Sequence, residues 1–238
     1  MDNSKKMDNA HYYRVPNPKE EPKGQVLLTT NFESPFRREV FEYRKHSYVI
    51  YCFALETGIS ILNAVRVAEN LPAFKDKLDE FFLSKKQEYD LMQMLIDDPI
   101  KSISEEKLYR FYYAYINAIN ETGLFYDCGK EHYIWEFIWE MVRDIEYPNM
   151  PSRMESVFLF NNKENAIKFK NQYRDNNYQV AEIKLLEGTL QSFDMNWFSD
   201  VPSKVPLSEA QEYTRNYWAQ KQTETPIMEV LFQGKYIW

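Results

Sequence analysis

Cysteine, long apolar runs and excess positive charge are all scarce in this 238-residue chain, and each shortage removes a class of protein. The two cysteines, Cys52 and Cys128, stand far apart without metal-ligand spacing, so neither a disulfide framework nor a metal site is expected, and a reducing compartment fits. No stretch approaches the roughly 18 consecutive apolar residues that span a bilayer, and the opening MDNSKKMDNA lacks the apolar run of an export signal. A cytoplasmic location, with no membrane partner, is therefore expected. Basic residues are outnumbered, 29 Lys and Arg against 36 Asp and Glu, for a net charge of −7. That balance gives no long-range pull on nucleic acid. Any polyanion contact must be local, and RVPNPK, FRREVFEYRKH and PSR are the basic patches to enlist. Internal repeats and low-complexity tracts are missing as well.

What is present is material for a core. Hydrophobic residues make up 44% and aromatics 16%, so disorder is not expected away from the ends. The length suits one domain, or a core domain carrying a large insertion. HYYRV at 11–15 reads as a short strand stopped by the proline-rich PNPKEEPKG, and QVLLTT reads as a second short extended or turn segment. Ser34 and Pro35 then open a helical region running to about residue 147. In SEEKLYRFYYAYINAINETG, Leu108, Phe111, Tyr112, Tyr115, Ile116 and Ile119 repeat at three and four, with Ser102 and Glu105 as a capping box and Gly123 at the far end. EHYIWEFIWEMVRDIE repeats the arrangement with Ile134, Phe137, Ile138, Met141, Val142 and Ile145 until Pro148 forbids its continuation. Beyond it the period changes. ESVFLF reads as a buried strand, NNKENAIKFKNQYR as a helix opened by Asn, NYQVAEIKLL and SFDMNWF as two strands, LSEAQEYTRNYWAQ as a helix, and IMEVLFQGKYIW as a closing strand with a turn at Gly234. The strand at 11–15 needs a partner, so the two ends of the chain are expected to share one sheet.

Three polar sites stand in or beside strands. Arg14 shares a strand face with Tyr12, while His11 and Tyr13 share the other. Ser152, Arg153 and Ser156 lead into the strand of ESVFLF. Glu229 is a lone acid among Ile227, Met228 and VLF. Taken singly, each has an ordinary reading: Arg14 as half of a surface ion pair, the serines as turn caps, Glu229 as a charge at a strand edge.

In chain order, YYRV, PKGQVLL, the strand-and-helix SVFLFNNKENAIKFK and the acid-led MEVLF resemble the ADP-ribosyltransferase superfamily, more narrowly its small bacterial and phage toxin-like branch. The resemblance covers about half of the chain, the two ends. It implies an α+β fold with a split antiparallel sheet core over 11–32 and 148–238; the helical periodicity between them makes 33–147 a large all-helical insertion after the first strands, and 1–10 is read as a flexible N-terminus. It also implies an NAD-dependent transferase, a toxin or defence effector, with Glu229 as the catalytic acid, Arg14 as the first-strand residue and the Ser152–Ser156 segment as the second motif.

The chemistry asks for these residue types. Breaking the nicotinamide–ribose bond develops positive charge on the sugar, which a carboxylate such as Glu229 stabilises. A guanidinium offers paired donors to a pyrophosphate, a role open to Arg14 or Arg153. A serine holds the ribose or supports the acid; Tyr12 or Tyr13 stacks on the nicotinamide or belongs to the core. His11 substitutes for Arg14 if the register is off by one face. Ile227, where arginine-modifying members carry a second acid or Gln, disfavours protein arginine as acceptor. A nucleic acid is the favoured acceptor and a protein side chain remains open. Two other readings stay alongside: an inactive fold whose aromatic helical block binds an antitoxin or chaperone, and an NAD glycohydrolase with water as acceptor.

EVLFQG at 229–234 also matches a protease site used in purification tags. KYIW continues the apolar pattern beyond it, so the stretch reads as a native strand that the protease is able to clip.

Overall fold

The computed structural model describes residues 11–31, 35–81, 103–124, 131–202 and 204–238. Residues 1–10, Ser34, Ser102 and Cys128 lie outside that set. Among the described residues the architecture is α+β, with five antiparallel strands and eight α-helices. The chain divides into two units: Met1–Arg37, Val142–Asp200 and Thr214–Trp238 form the first, Arg38–Met141 and Val201–Tyr213 the second. The helical unit thus takes in 201–213 as well, a return of the chain that a single insertion does not provide.

The first unit is built on strands β1 (Tyr12–Arg14), β2 (Leu27–Leu28), β3 (Val157–Leu159), β4 (Ala181–Asp194) and β5 (Met228–Ile237). β5 is central. It pairs along one edge with β4, Phe193 opposite Glu229, and along the other with β3 and then β2, Leu159 opposite Val230 and Leu28 opposite Lys235. β1 pairs with β4 through Tyr12 and Ile183, and the sheet curls until Tyr13 also bridges Phe160, just past β3. The two chain ends therefore do share one sheet.

Strand alternation sorts the side chains. Val157, Leu159, Ile183, Val230, Phe232 and Tyr236 form the enclosed core, with Tyr12, Leu27 and Leu185 packed against it. Each fully buried aliphatic or Phe contributes about 1.5–3 kcal/mol relative to exposure.

Two expectations are corrected here. NYQVAEIKLL and SFDMNWF are not separate strands: residues 181–194 form one 14-residue strand, and Asn196–Ser199 is a short helix. Gly234 makes no turn either. It lies opposite Gly188, both at φ +148°, and a Cβ on Gly234 would stand 2.0 Å from the Glu187 carbonyl oxygen. The glycines let two backbones cross closely where larger residues would hold them apart.

Helix α1 is Pro35–Glu42, followed in the second unit by α2 (Arg44–Thr57), α3 (Ile61–Phe81) and α4 (Glu105–Thr122). α5 is Glu131–Glu146, α6 Lys163–Tyr173, α7 Asn196–Ser199 and α8 Leu207–Trp218. The apolar stripe of α4 is core as its period requires: Leu108, Phe111 and Tyr115 are buried, and Phe111 stacks on Phe53 at 4.0 Å. The N-cap of α4 is Ser104, whose side chain accepts from the Lys107 amide. Gly123 ends the helix in the left-handed conformation, as expected. On α5 the stripe stops short: Val142 is buried but Ile145 is 74% exposed.

Candidate active site

Glu229 sits at the second residue of β5, one strand parity away from Val230, Phe232 and Tyr236. It therefore points away from the enclosed core, to the face where Phe193, Tyr217 and Trp218 pack. Its backbone is held by the knot before it. The Asp194 carboxylate, fully buried, accepts hydrogen bonds from the amides of Asn196, Thr223 and Ile227 and from the Thr223 hydroxyl. That carboxylate gathers the 223–227 loop and delivers β5 in register.

Arg153 reaches the same face from a 3-10 turn, Arg153–Glu155, whose N-cap is Ser152. The Arg153 Nη1 donates to Glu229 Oε1 at 2.6 Å and to the Tyr217 hydroxyl at 2.5 Å. Tyr217, from the last turn of α8, donates in turn to Glu229 Oε1 at 2.7 Å. The guanidinium lies among three rings, its carbon 4.6 Å from the centre of Phe198, 4.8 Å from Phe158 and 5.2 Å from Tyr217. Cation–π contact of this kind strengthens when desolvated, and Arg153 is 5% exposed. Both hydrogen bonds to the carboxylate fall on one oxygen. Oε2 of Glu229 accepts none among the described residues and is not sealed from solvent.

The remaining candidates sit elsewhere or are spent locally. Ser152 accepts from the Met154 amide, and the Ser156 hydroxyl donates to the Ser152 carbonyl at 2.6 Å, so both serines hold the turn that carries Arg153. His11 is an exposed side chain beside Glu182, not a surrogate for Arg14. Tyr13 pairs its backbone with Phe160.

Arg14 is not brought to Glu229. It lies on the core side of the sheet, paired two-fold to Glu21 at 2.9 and 3.0 Å, and donates to the Phe158 carbonyl at 3.0 Å. Glu21 also accepts from the Tyr236 hydroxyl at 2.7 Å and the Asn17 amide at 3.0 Å. Burial works against the charges of Arg14 and Glu21, but each more than offsets it for the other: the arginine's pKa is held above its ordinary value, the glutamate's below. Burial pushes Tyr236 up beyond the usual phenol range. Arg37, which donates to the Ser156 and Thr29 carbonyls, is lowered to about 10 by burial and then by the nearby Arg14 charge. Arg14 and Arg37 thus serve the carbonyl edge of β3 where β1 has already ended. Their chemistry is that of closing a sheet edge.

Tyr217 carries no local mark in the sequence, where it is one of 18 tyrosines. Among the described residues no group of three His, Cys, Asp or Glu side chains is placed to hold a metal ion, and no helix is long and apolar enough to cross a membrane.

A family model described as a protein of unknown function (DUF2441) matches residues 41–237. The match takes in Arg153, Tyr217 and all of 229–234, and begins after Arg14. No curated protein matches the chain.

Proposed function

We propose, for a chain that belongs to the DUF2441 family, that it is an NAD-dependent mono-ADP-ribosyltransferase acting at Glu229. The observation that carries this reading is the half-used carboxylate: Oε1 anchored by Arg153 and Tyr217, Oε2 left open. A carboxylate fixed through one oxygen presents the other without reorganising as charge develops, which is the property electrostatic catalysis needs.

In the reaction the bond between nicotinamide nitrogen and ribose C1′ breaks, and nicotinamide leaves with the electron pair. Glu229 Oε2 stabilises the cationic sugar. A nucleophile of the acceptor then bonds to C1′ and sheds its proton to solvent. Arg153 is better placed than Arg14 to serve the anionic part of NAD, since it stands beside the acid. The acceptor is a nucleic acid, or a protein side chain. A toxin or defence role and the ADP-ribosyltransferase-like core belong to the same reading.

The test is labelled NAD added to bacterial lysate with the native chain and with Glu229→Gln. Label entering nuclease-sensitive material with the native chain, and about 10²–10³-fold less with the variant, supports the reading. Free nicotinamide without label transfer moves it to NAD hydrolysis. Neither product from the native chain sinks it.

A second reading, an inactive fold that binds a partner such as an antitoxin or chaperone, draws on a separate observation: Glu229 is 6% exposed and its charge is already balanced by Arg153. NAD at 100 times its dissociation constant stabilises a protein that binds it by about 2.7 kcal/mol, so an unmoved melting curve favours this alternative.

A further inference from the structure

Helix α6 runs against the charge of the whole chain. Residues 163–178 carry four cations, Lys163, Lys168, Lys170 and Arg174, against two carboxylates, Glu164 and Asp175, in a protein of net charge −7. None of the four forms an ion pair among the described residues. Lys163, Ile167 and Lys170 fall on one stripe of the helix, with Lys163 about 10 Å from Lys170 along the axis, and Arg174 follows as the extended C-cap residue.

Aromatic rings are interleaved with this charge. The Arg174 guanidinium carbon lies 5.3 Å from the centre of Phe169 and 5.7 Å from that of Tyr178. Tyr173 sits 5.2 Å from Phe169, which is rooted on Phe160 at 5.6 Å, and Tyr173 is itself 50% exposed. Ile167, on the cationic stripe, is 40% exposed. A solvated helix face needs no rings, and a membrane-lying helix needs a broad apolar face rather than one Ile. Cations in line beside stacked, open aromatic and guanidinium planes match a phosphate backbone with unpaired bases.

We propose that the α6 surface, Lys163 to Tyr178, binds single-stranded nucleic acid through Lys163, Lys168, Lys170 and Arg174 on phosphates and Tyr173 under a base. It deepens the transferase reading by giving the acceptor a dock, and rests on that reading for this role alone. Binding without NAD stands separately.

The experiment is fluorescence anisotropy of a labelled 12-nucleotide oligo-dT with the full native chain, from 50 to 200 mM salt, repeated with the matching duplex. Preference for the single strand and a log–log salt slope of roughly −3, as about four neutralised phosphates give, are expected. Lys163→Glu, Lys170→Glu and Arg174→Glu combined should flatten the slope and abolish binding at 100 mM salt. Tyr173→Ala should weaken binding at least about fivefold with the slope unchanged. All four are surface changes, checked for an unaltered melting curve. Absence of binding at 50 mM salt overturns the proposal, as does binding indifferent to these changes. Equal competition by polyglutamate or by anionic phosphatidylserine vesicles also overturns it, in favour of a protein or membrane surface. A native chain that binds oligo-dT but cleaves no NAD would retire the transferase reading and leave the dock.

Discussion

The sheet unit holds two buried Arg–Glu–Tyr clusters, and they are wired differently. In Arg14–Glu21–Tyr236 both glutamate oxygens are used, by two guanidinium nitrogens, a phenol and a backbone amide. In Arg153–Glu229–Tyr217 one oxygen takes both bonds and the other is open. Residue type alone does not separate them. What separates them is the count of lone pairs left over: a saturated carboxylate can only hold a fold together, while a half-saturated one is both anchored and available. β5 supplies one member of each cluster, Glu229 on one face and Tyr236 on the other, so the two are tied through one strand.

That tie makes the strongest prediction. Glu229–Gly234 lies in the central strand, paired throughout with β4 and at 230–232 with β3 as well, and a protease needs an extended segment it can enclose. The native chain should therefore be cut by the tag protease about 10³–10⁶-fold more slowly than an unfolded peptide of the same sequence, the usual range of unfolded fractions. Rapid cleavage at native temperature would mean that β5 is not the centre of the sheet.

Breaking the saturated cluster comes next. Arg14→Ala leaves Glu21, 1% exposed, without its cation, and should cost about 3–5 kcal/mol in urea unfolding while raising protease cleavage about a hundredfold or more. Because the Glu21 pKa is depressed in the fold, its contribution is present above about pH 4.5 and is lost as pH falls below it. Arg14→Ala should remove that part of the acid limb. Activity per folded molecule should not change, and a fall in kcat would return Arg14 to the active site.

A smaller change sharpens the other side of the comparison. Tyr217→Phe keeps the ring, stacked 4.6 Å from Phe193, and removes only the hydroxyl. Losing one of two donors to Glu229 Oε1 should lower kcat by about 1.5–3 kcal/mol, with KM for NAD little altered. Equal effects on kcat and on stability would make the cluster a second structural clamp.

Much of this was legible in the sequence wherever the period was long and unbroken. Strand β1, helices α4, α5, α6 and α8, and the closing strand follow from apolar spacing and caps, and Arg153 and Glu229 stood out as charges beside apolar strands. The misses share a cause, since each depends on what arrives from far along the chain. Gly188 reads as a break until Gly234 is laid against it, which is why one strand looked like two. Arg14 looked available because Glu21 lies in a proline-rich loop and Tyr236 is 222 residues away by number. Tyr217 carried no local mark. The basic stripe of α6 was readable, at a spacing of seven, but its alternation with apolar residues reads first as an ordinary surface helix.

The smallest effect concerns a half-satisfied group in the helical unit. His46 is fully buried between Tyr43 and Tyr115; its Nε2 contacts the Leu124 carbonyl at 3.0 Å, and its Nδ1 has no partner among the described residues. Burial lowers its pKa from the ordinary value, opposed by the Leu124 carbonyl. A histidine kept neutral in the fold but free to protonate when unfolded gives stability that is complete above about pH 6.5 and declines as pH falls below it. The decline is limited to about 1.4 kcal/mol per pH unit for one proton. Urea titrations from pH 7.5 to 5 should give a shallower fall for His46→Gln than for the native chain, with the difference confined below pH 6.5. Parallel curves would mean that His46 takes up its proton without unfolding, and that the open Nδ1, like the open oxygen of Glu229, meets a partner from solvent.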